Sequence, residues 1–341
     1  MDFLGKISKL AMAAAALVAV AACHKDKGDD DSSYTYFSGV LAFDCPSFMG
    51  VGDGDYTLIP NGAYRKDGGD YGYYWTASPI QTARDTTRRI GDPSSADGRF
   101  VFSVPDTMCT VTLLCGIFAD EYYTSTATKQ VVIVKPDSSL RIDAFTAGPD
   151  GTFTDTRDGQ KYEYRSIGGY DWFMRNLSWA GAGKPFDNAS CMEPIFGGYY
   201  TWDEAKTVCP EGWTLPDSTA WNALALAAGA KEAAGLSTYE GIAGSMMANC
   251  YFNGDRMWEY WPAVKITNAT GFSAIPSGYG NKAEDLATFY DVDYYSAFWT
   301  ADENDGLGLY RYLYVQKPDV YVGNGHKDTF MANVRCVRKS H

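Results

Sequence analysis

The stretch GGYYTWDEAKTVCPEGWTLPDSTAWNAL, residues 197–224, decides the reading of the C-terminal half, because it spells two short helices and the turn between them. Thr201 with Glu204 three residues on forms a capping box, in which hydroxyl and carboxylate each satisfy an otherwise orphaned backbone N–H. The helix runs on through Ala205, Lys206 and Val208 and stops before Pro210, which lacks the N–H needed to continue it. Asp217 or Ser218 caps a second helix that turns Trp221, Leu224 and Leu226 towards a sheet. Pro210, Gly212 and Pro216 fix the connection.

Upstream, TFTDTRDGQKYEYRSIGGYDWFMRNLSW at 152–179 reads as a β-hairpin with its turn at Asp158-Gly159. Downstream, a weaker helical stretch covers Tyr239 to Asn249, and aromatic-rich strands with Gly turns continue to Arg338. Trp172, Trp179, Trp202, Trp213, Trp221 and Trp299 fall at element junctions, where core packing is the default role. Residues 147–341 therefore read as an α+β domain. From 34 to 146 the pattern changes to short runs of β-formers between Gly, Pro and Asp turns. The clearest is Thr110 to Phe118, where Cys109, Val111, Leu113, Cys115 and Ile117 share one face at period two. Phe100 to Val104 and Val131 to Val134 are further strands, so this segment reads as all-β.

The length, 341 residues, suits two domains. A net charge of −13 without a long basic run disfavours a nucleic-acid partner. The histidines, His24, His326 and His341, are too few and too peripheral for most histidine triads or zinc sites. Tyr (25), Phe (17), Trp (9) and Gly (35) together favour turn-rich antiparallel sheet over a helical bundle, so the chain as a whole reads as mainly β.

Residues 1–22 read as an export signal: Lys6 and Lys9 precede an apolar run, Leu10 to Ala22, too short to span a bilayer. Val20-Ala21-Ala22-Cys23 resembles the lipobox of bacterial lipoproteins, which implies cleavage before Cys23 and acylation of that residue. Cleavage removes Lys6, Lys9 and Asp2 and leaves a net charge of −14. Residues 23–33, with HKDKGDDDSS after the cysteine, are too polar to fold and form an acidic tether. The acidic run resembles the surface-export signal of Bacteroidetes-type lipoproteins, which implies an outer-membrane lipoprotein exposed at the cell surface; an ordinary linker facing the periplasm is the alternative reading.

DGRFVFSV, CTVTLLCGIF and KQVVIVKP resemble the closing strands of an immunoglobulin-like or polycystic-kidney-disease-like sandwich, which implies a stalk over 34–146. Residues 152–179 and 197–224, with GFSAIPSGYG (271–280), AFWTADE (297–303) and NVRCVRK (333–339), are similar to the Fibrobacter succinogenes major paralogous domain. That resemblance implies a C-type-lectin-like α+β fold: an opening hairpin, two helices, a long loop region and a last strand pairing back beside the first. It also implies a disulfide between Cys209 and Cys336. Formylglycine-generating enzymes share this architecture, but their activity needs a second reactive cysteine near the C-terminus, where only Cys336 occurs.

Seven cysteines remain after Cys23. Cys191 and Cys250 are the next pair expected within the domain. Cys45, Cys109 and Cys115 leave room for one bridge, which cannot join Cys109 to Cys115 along one extended strand. The expected function is binding or adhesion at the cell surface, with a glycan, surface protein or other polymer as ligand. Aromatic faces stack on sugars and carboxylates bond hydroxyls or calcium, so the candidate ligand residues are Trp258, Tyr260, Trp261, Tyr290, Asp291, Asp293 and Tyr294. No cofactor is expected; calcium is compatible with these carboxylates, but no lectin calcium triplet stands in the required arrangement. Two other readings are a structural component of a surface appendage that docks by strand addition, and an enzyme, for which no carboxylate pair is signalled.

Overall fold

Strands far outnumber helices in the computed structural model, which describes residues 35–78, 98–340 and the backbone of 88–90. The export signal, Cys23 and the 23–33 tether lie outside the described residues. Contacts divide the chain into two units that meet between Lys135 and Pro136.

In the N-terminal unit, strands β1 (Thr35–Tyr36), β2 (Ala42–Phe43), β3 (Phe48–Gly50), β4 (Asp55–Leu58), β5 (Pro60–Asn61), β6 (Gly72–Ser78), β7 (Arg88–Ile90), β8 (Phe100–Ser103), β9 (Cys109–Phe118), β10 (Tyr122–Tyr123) and β11 (Ser125–Val134) alternate with turns. The main sheet has the order β3-β11-β9-β6-β7, with β3 parallel to the end of β11. Period two sets its buried face: Val111, Leu113, Cys115 and Ile117 are inaccessible, while Cys109 at the strand end is half-buried. β8 pairs with β4 rather than with β9. Trp75 joins the layers, its ring 4.9 Å from Phe43 and 5.3 Å from Phe100, and its Nε1 donates to the Gly98 carbonyl at 2.8 Å. Cys45, Cys109 and Cys115 are thiols, so the one bridge their number allowed is not formed.

The C-terminal unit begins at Pro136, upstream of the 146/147 boundary suggested by sequence texture. The physical reason is a pairing: β12 (Leu140–Ile142) lies antiparallel to β16 (Cys250–Phe252), which continues to β17 (Asp255–Arg256). The opening hairpin is β13 (Gly151–Thr154) and β14 (Lys161–Ile167), followed by β15 (Tyr170–Phe173). The last strand, β24 (Val337–Lys339), joins this sheet beside β15, not beside β13 as expected: the order is β13-β14-β15-β24, with Trp172 opposite Val337.

Helix α1 (Trp202–Val208) carries the capping box at Thr201 and Glu204, and α2 (Ser218–Ala227) is capped by Asp217, which accepts from the Ala220 amide at 2.9 Å. Trp221 and Leu224 are buried, whereas Leu226, two residues past Leu224 and so about 200° round the helix, is exposed; Ala220 and Ala225 complete the buried stripe. The expected helix over 239–249 shrinks to one turn, α3 (Ala243–Met246), since Tyr239 pairs with Val320 and Gly241 takes a left-handed φ of 73°.

Cys209, at the end of α1, is disulfide-bonded to Cys336, just before β24, across a sequence separation of 127. Cys250 is a fully buried thiol, which corrects the expected Cys191–Cys250 bridge: counting cysteines cannot bring together two side chains that the fold places otherwise. Of the six tryptophans expected in the core, Trp172, Trp202, Trp213, Trp221 and Trp299 are buried. Trp179 is half-buried and carries the Arg157 guanidinium over its face at 4.0 Å.

Two polar knots tie these elements. Asp155 is inaccessible and accepts from the Arg157 backbone and guanidinium, while Arg157 Nη1 donates to the Val208 carbonyl at 2.9 Å, linking the hairpin turn to the end of α1. Burial alone would raise the Asp155 pKa, but the Arg157 hydrogen bonds outweigh it and hold the carboxyl below its usual range. The second knot is Arg335. Its buried guanidinium donates to Asn176 Oδ1 (2.7 Å), Phe173 O (3.1 Å), Phe272 O and Ser273 O (2.9 Å), with the Phe272 ring 4.7 Å away. Burial lowers its pKa to about 9, which leaves it charged at neutral pH.

Replacing both Cys209 and Cys336 by Ser should cost about 5 kcal/mol in denaturant unfolding, from the chain entropy released by opening a loop of this length. Arg335→Met, which strands four buried acceptors, should cost about 3–5 kcal/mol in the same assay, and Arg335→Lys should recover little because an ammonium lacks the planar fork. A depressed carboxyl stabilises the fold above its unfolded pKa of about 4, and that contribution disappears as pH falls through the lower folded value. Asp155→Asn should therefore lower the melting temperature at pH 7, with the gap to the parent closing below about pH 4.

Candidate functional site

The loop that follows β17 carries three of the expected ligand residues, and the fold treats them differently. Trp258 is inaccessible, and its Nε1 donates to the Ala274 carbonyl at 3.3 Å, so its assignment to a binding surface is corrected: it is core. Tyr260 and Trp261, the next aromatics along, are 75% and 38% exposed. Between them and the core, Glu259 accepts from the Tyr294 hydroxyl at 2.7 Å. That bond fastens the 258–261 loop to the turn at 290–294, two segments that sequence alone could only set side by side in a count of aromatics.

The 290–294 turn is built from tight backbone. β18 (Tyr279–Ala283) and β19 (Leu286–Tyr290) form a hairpin; Asp291 and Asp293 then adopt left-handed φ values of 57° and 78°, which short polar side chains tolerate. Gly278 lies beside it with φ +72°, and a Cβ there would stand 2.0 Å from the Tyr290 carbonyl, so no other residue fits. Asp291 stays at the surface, and partial desolvation raises its pKa. Asp293 is buried, its amide bonded to the Pro276 carbonyl at 3.0 Å, which removes it from the ligand-facing set. Tyr290 is exposed and Tyr294 half-buried. The rim that remains of the expected residues is Tyr260, Trp261, Tyr290, Asp291 and Tyr294.

Next to this rim is an aromatic face that sequence reading missed. β20 (Tyr295–Asn304), β21 (Leu307–Tyr314) and β22 (Val320–Gly325) form an antiparallel sheet in which Tyr295 opposes Tyr314, Trp299 opposes Tyr310, and Tyr312 opposes Tyr321. Opposed residues point the same way, so these rings share one face. Tyr312 stacks on Tyr295 (4.9 Å) and on Tyr321 (5.2 Å), Tyr279 stacks on Tyr290 (5.4 Å), and Phe330 of β23 (Phe330–Met331) stacks on Tyr310 (4.6 Å). Gly323, opposite Tyr310, leaves space for that ring: a Cβ would lie 2.4 Å from its Cζ. Burial raises the pKa of Tyr279, Tyr295 and Tyr310, and the Tyr295 and Tyr310 hydroxyls are also hydrogen-bonded to each other.

The opposite side of β21 is locked down by Arg311. Its guanidinium donates to the Gly235 and Ser237 carbonyls and to the Tyr239 hydroxyl (3.1 Å), and stands over the Tyr239 ring at 4.2 Å. The sheet is thus a rigid platform, and the ladder's chemistry follows from its packing. A ring stacked on both sides shows its edge and hydroxyl, so the interior of the ladder offers hydrogen bonds; Tyr290, Tyr260 and Trp261 expose ring surface. The alternation Tyr310-x-Tyr312-x-Tyr314 was the available signal. Among the described residues no group of three or more His, Cys, Asp or Glu is arranged to hold a metal ion, and no helix is long and apolar enough to cross a membrane.

No curated protein matches the chain. Among solved structures, the adhesin InvE of Yersinia pseudotuberculosis aligns over 88% of this chain and 70% of its own at 11% identity, with a TM-score of 0.23, too low to bear on fold or function. Residues 166–338, just over half of the chain, match the Fibrobacter succinogenes major domain. This segment contains α1, the Cys209–Cys336 bridge, Arg335 and the tyrosine sheet, and by that match the chain belongs to the Fibrobacter succinogenes major domain family.

Proposed function

We propose that the chain is a lipid-anchored binding or adhesion protein of the outer-membrane surface, held by acylated Cys23 and the 23–33 tether. In this reading the N-terminal unit is an immunoglobulin-like spacer and the C-terminal unit a lectin-like domain that takes a glycan or other hydroxyl-rich polymer. The lipobox and acidic run support the address. The opening hairpin, the two short helices, the long irregular stretch and the return of β24 to the first sheet support the lectin-like arrangement.

One observation carries the ligand class: Tyr260 and Trp261 stand out from a loop pinned on one side by buried Trp258 and on the other by the Glu259–Tyr294 bond. Aromatic surface held out by rigid neighbours loses little entropy on binding, and ring faces pack on the apolar faces of sugars while nearby hydroxyls and carboxylates bond sugar hydroxyls. The exposed Tyr290 ring and the Asp291 carboxyl extend that surface. Calcium is not required by this arrangement, since the polar groups suffice to orient a sugar.

A glycan array probed with the chain from residue 24 onward, in calcium and again in chelator, should show binding that persists without calcium. Tyr260→Ala and Trp261→Ala should each weaken it roughly tenfold or more while leaving the unfolding midpoint in place. Trp258→Ala should instead lower stability by about 3–5 kcal/mol. Binding to no glycan, or binding indifferent to both exposed aromatics, would sink the lectin reading.

A further inference from the structure

β1 pairs in parallel with β10, Thr35 opposite Tyr122 and Tyr36 opposite Tyr123, and the Thr35 amide donates to the Glu121 carbonyl at 2.9 Å. The Tyr36 and Tyr123 rings stack at 4.8 Å, yet Tyr36 is 70% and Tyr123 48% exposed. Two residues on, Ser38 bridges antiparallel to Tyr64, which is 51% exposed. Alternation puts Tyr36 and Tyr64 on the same side, while Phe37, Tyr122 and the Arg65 guanidinium (4.5 Å above Tyr122) turn to the other. Three large aromatics therefore stand together on the outer side of the N-terminal unit, at the point where the tether leaves it.

We infer that this tyrosine patch docks on the lipid surface from which the chain hangs. The inference rests on the proposed acylation of Cys23. From Cys23 to Thr35 the chain spans 12 residues, which reach at most roughly 40 Å when extended. A patch at the tether's own exit is thereby held at about millimolar effective concentration over the headgroups, so a weak contact is populated. Tyrosine suits that boundary, with an apolar ring and a hydroxyl that stays hydrated. The surrounding charge is mixed: Asp120 and Glu121 precede Tyr122, while Arg65 and Lys66 follow Tyr64. The contact is therefore made through the rings at the lipid interface and does not depend on headgroup charge. Docking would fix which side of the N-terminal unit faces the membrane.

Hydrogen exchange on the acylated full chain in phosphatidylethanolamine–phosphatidylcholine vesicles tests this, with the chain from residue 24 onward free in the same buffer as reference. Mass analysis of the N-terminal peptide first establishes the acyl chains. Amides at 35–40, 62–66 and 121–123 should exchange at least twofold more slowly on vesicles, with amides at 260–261 unchanged. The protection should fall in the Tyr36→Ser/Tyr123→Ser variant, whose circular dichroism should match the parent. Unchanged exchange with acyl chains present would overturn docking and leave the anchor standing, and absence of acyl chains would remove both. Protection that grows with protein density at fixed lipid would assign the patch to a second copy of the chain instead.

Discussion

A buried guanidinium bonded to uncharged oxygens holds the C-terminal unit together. Arg335 spends its donors on the carbonyls of Phe173, Phe272 and Ser273 and on the Asn176 amide oxygen, with Phe272 and Phe298 rings over it. These partners lie at 173–176, the end of the opening sheet and the turn after it, and at 272–273 in the long irregular region, so one side chain on the final segment gathers two distant stretches of the sequence. Leaving any partner out would strand a buried polar group, which makes the arrangement close to all-or-none.

Around that knot the other constraints are redundant in purpose but different in kind. The disulfide ties the end of α1 to the residue after Arg335, Arg157 ties the hairpin turn to the Val208 carbonyl at the end of the same helix, and Trp299 Nε1 donates to the Tyr200 carbonyl at 2.7 Å, tying β20 to the start of that helix. The consequence for function is a stiff base. Against it, the 258–261 loop and the 290–294 turn are fastened to each other by the Glu259–Tyr294 bond.

The aromatics show how much of the site could be read in advance. Trp258, Tyr260 and Trp261 look equivalent in a sequence, since each is an aromatic in a polar loop. Their fates diverge because the loop turns once over the Ala274 carbonyl, and the residue that faces inward there is Trp258. Asp291 and Asp293 diverge for the same reason, two residues apart in a turn of left-handed backbone. The tyrosine ladder was hidden because each ring's neighbour sits on another strand, Tyr312 beside Tyr321 and Tyr295, and register is not visible in any one segment.

Local chemistry determined what could be settled locally. The capping box at Thr201, the Asp217 cap, the strand at Cys109–Phe118 and the hairpin before Lys161 all follow from interactions within a few residues, and each stands where the sequence puts it. Only the tertiary structure decided which cysteines bond, which aromatics are covered, where β24 enters the sheet and that residues from Pro136 belong to the second unit. Those outcomes depend on distances between segments separated by tens to hundreds of residues, and such distances are set by the packing of the whole unit rather than by any stretch of it.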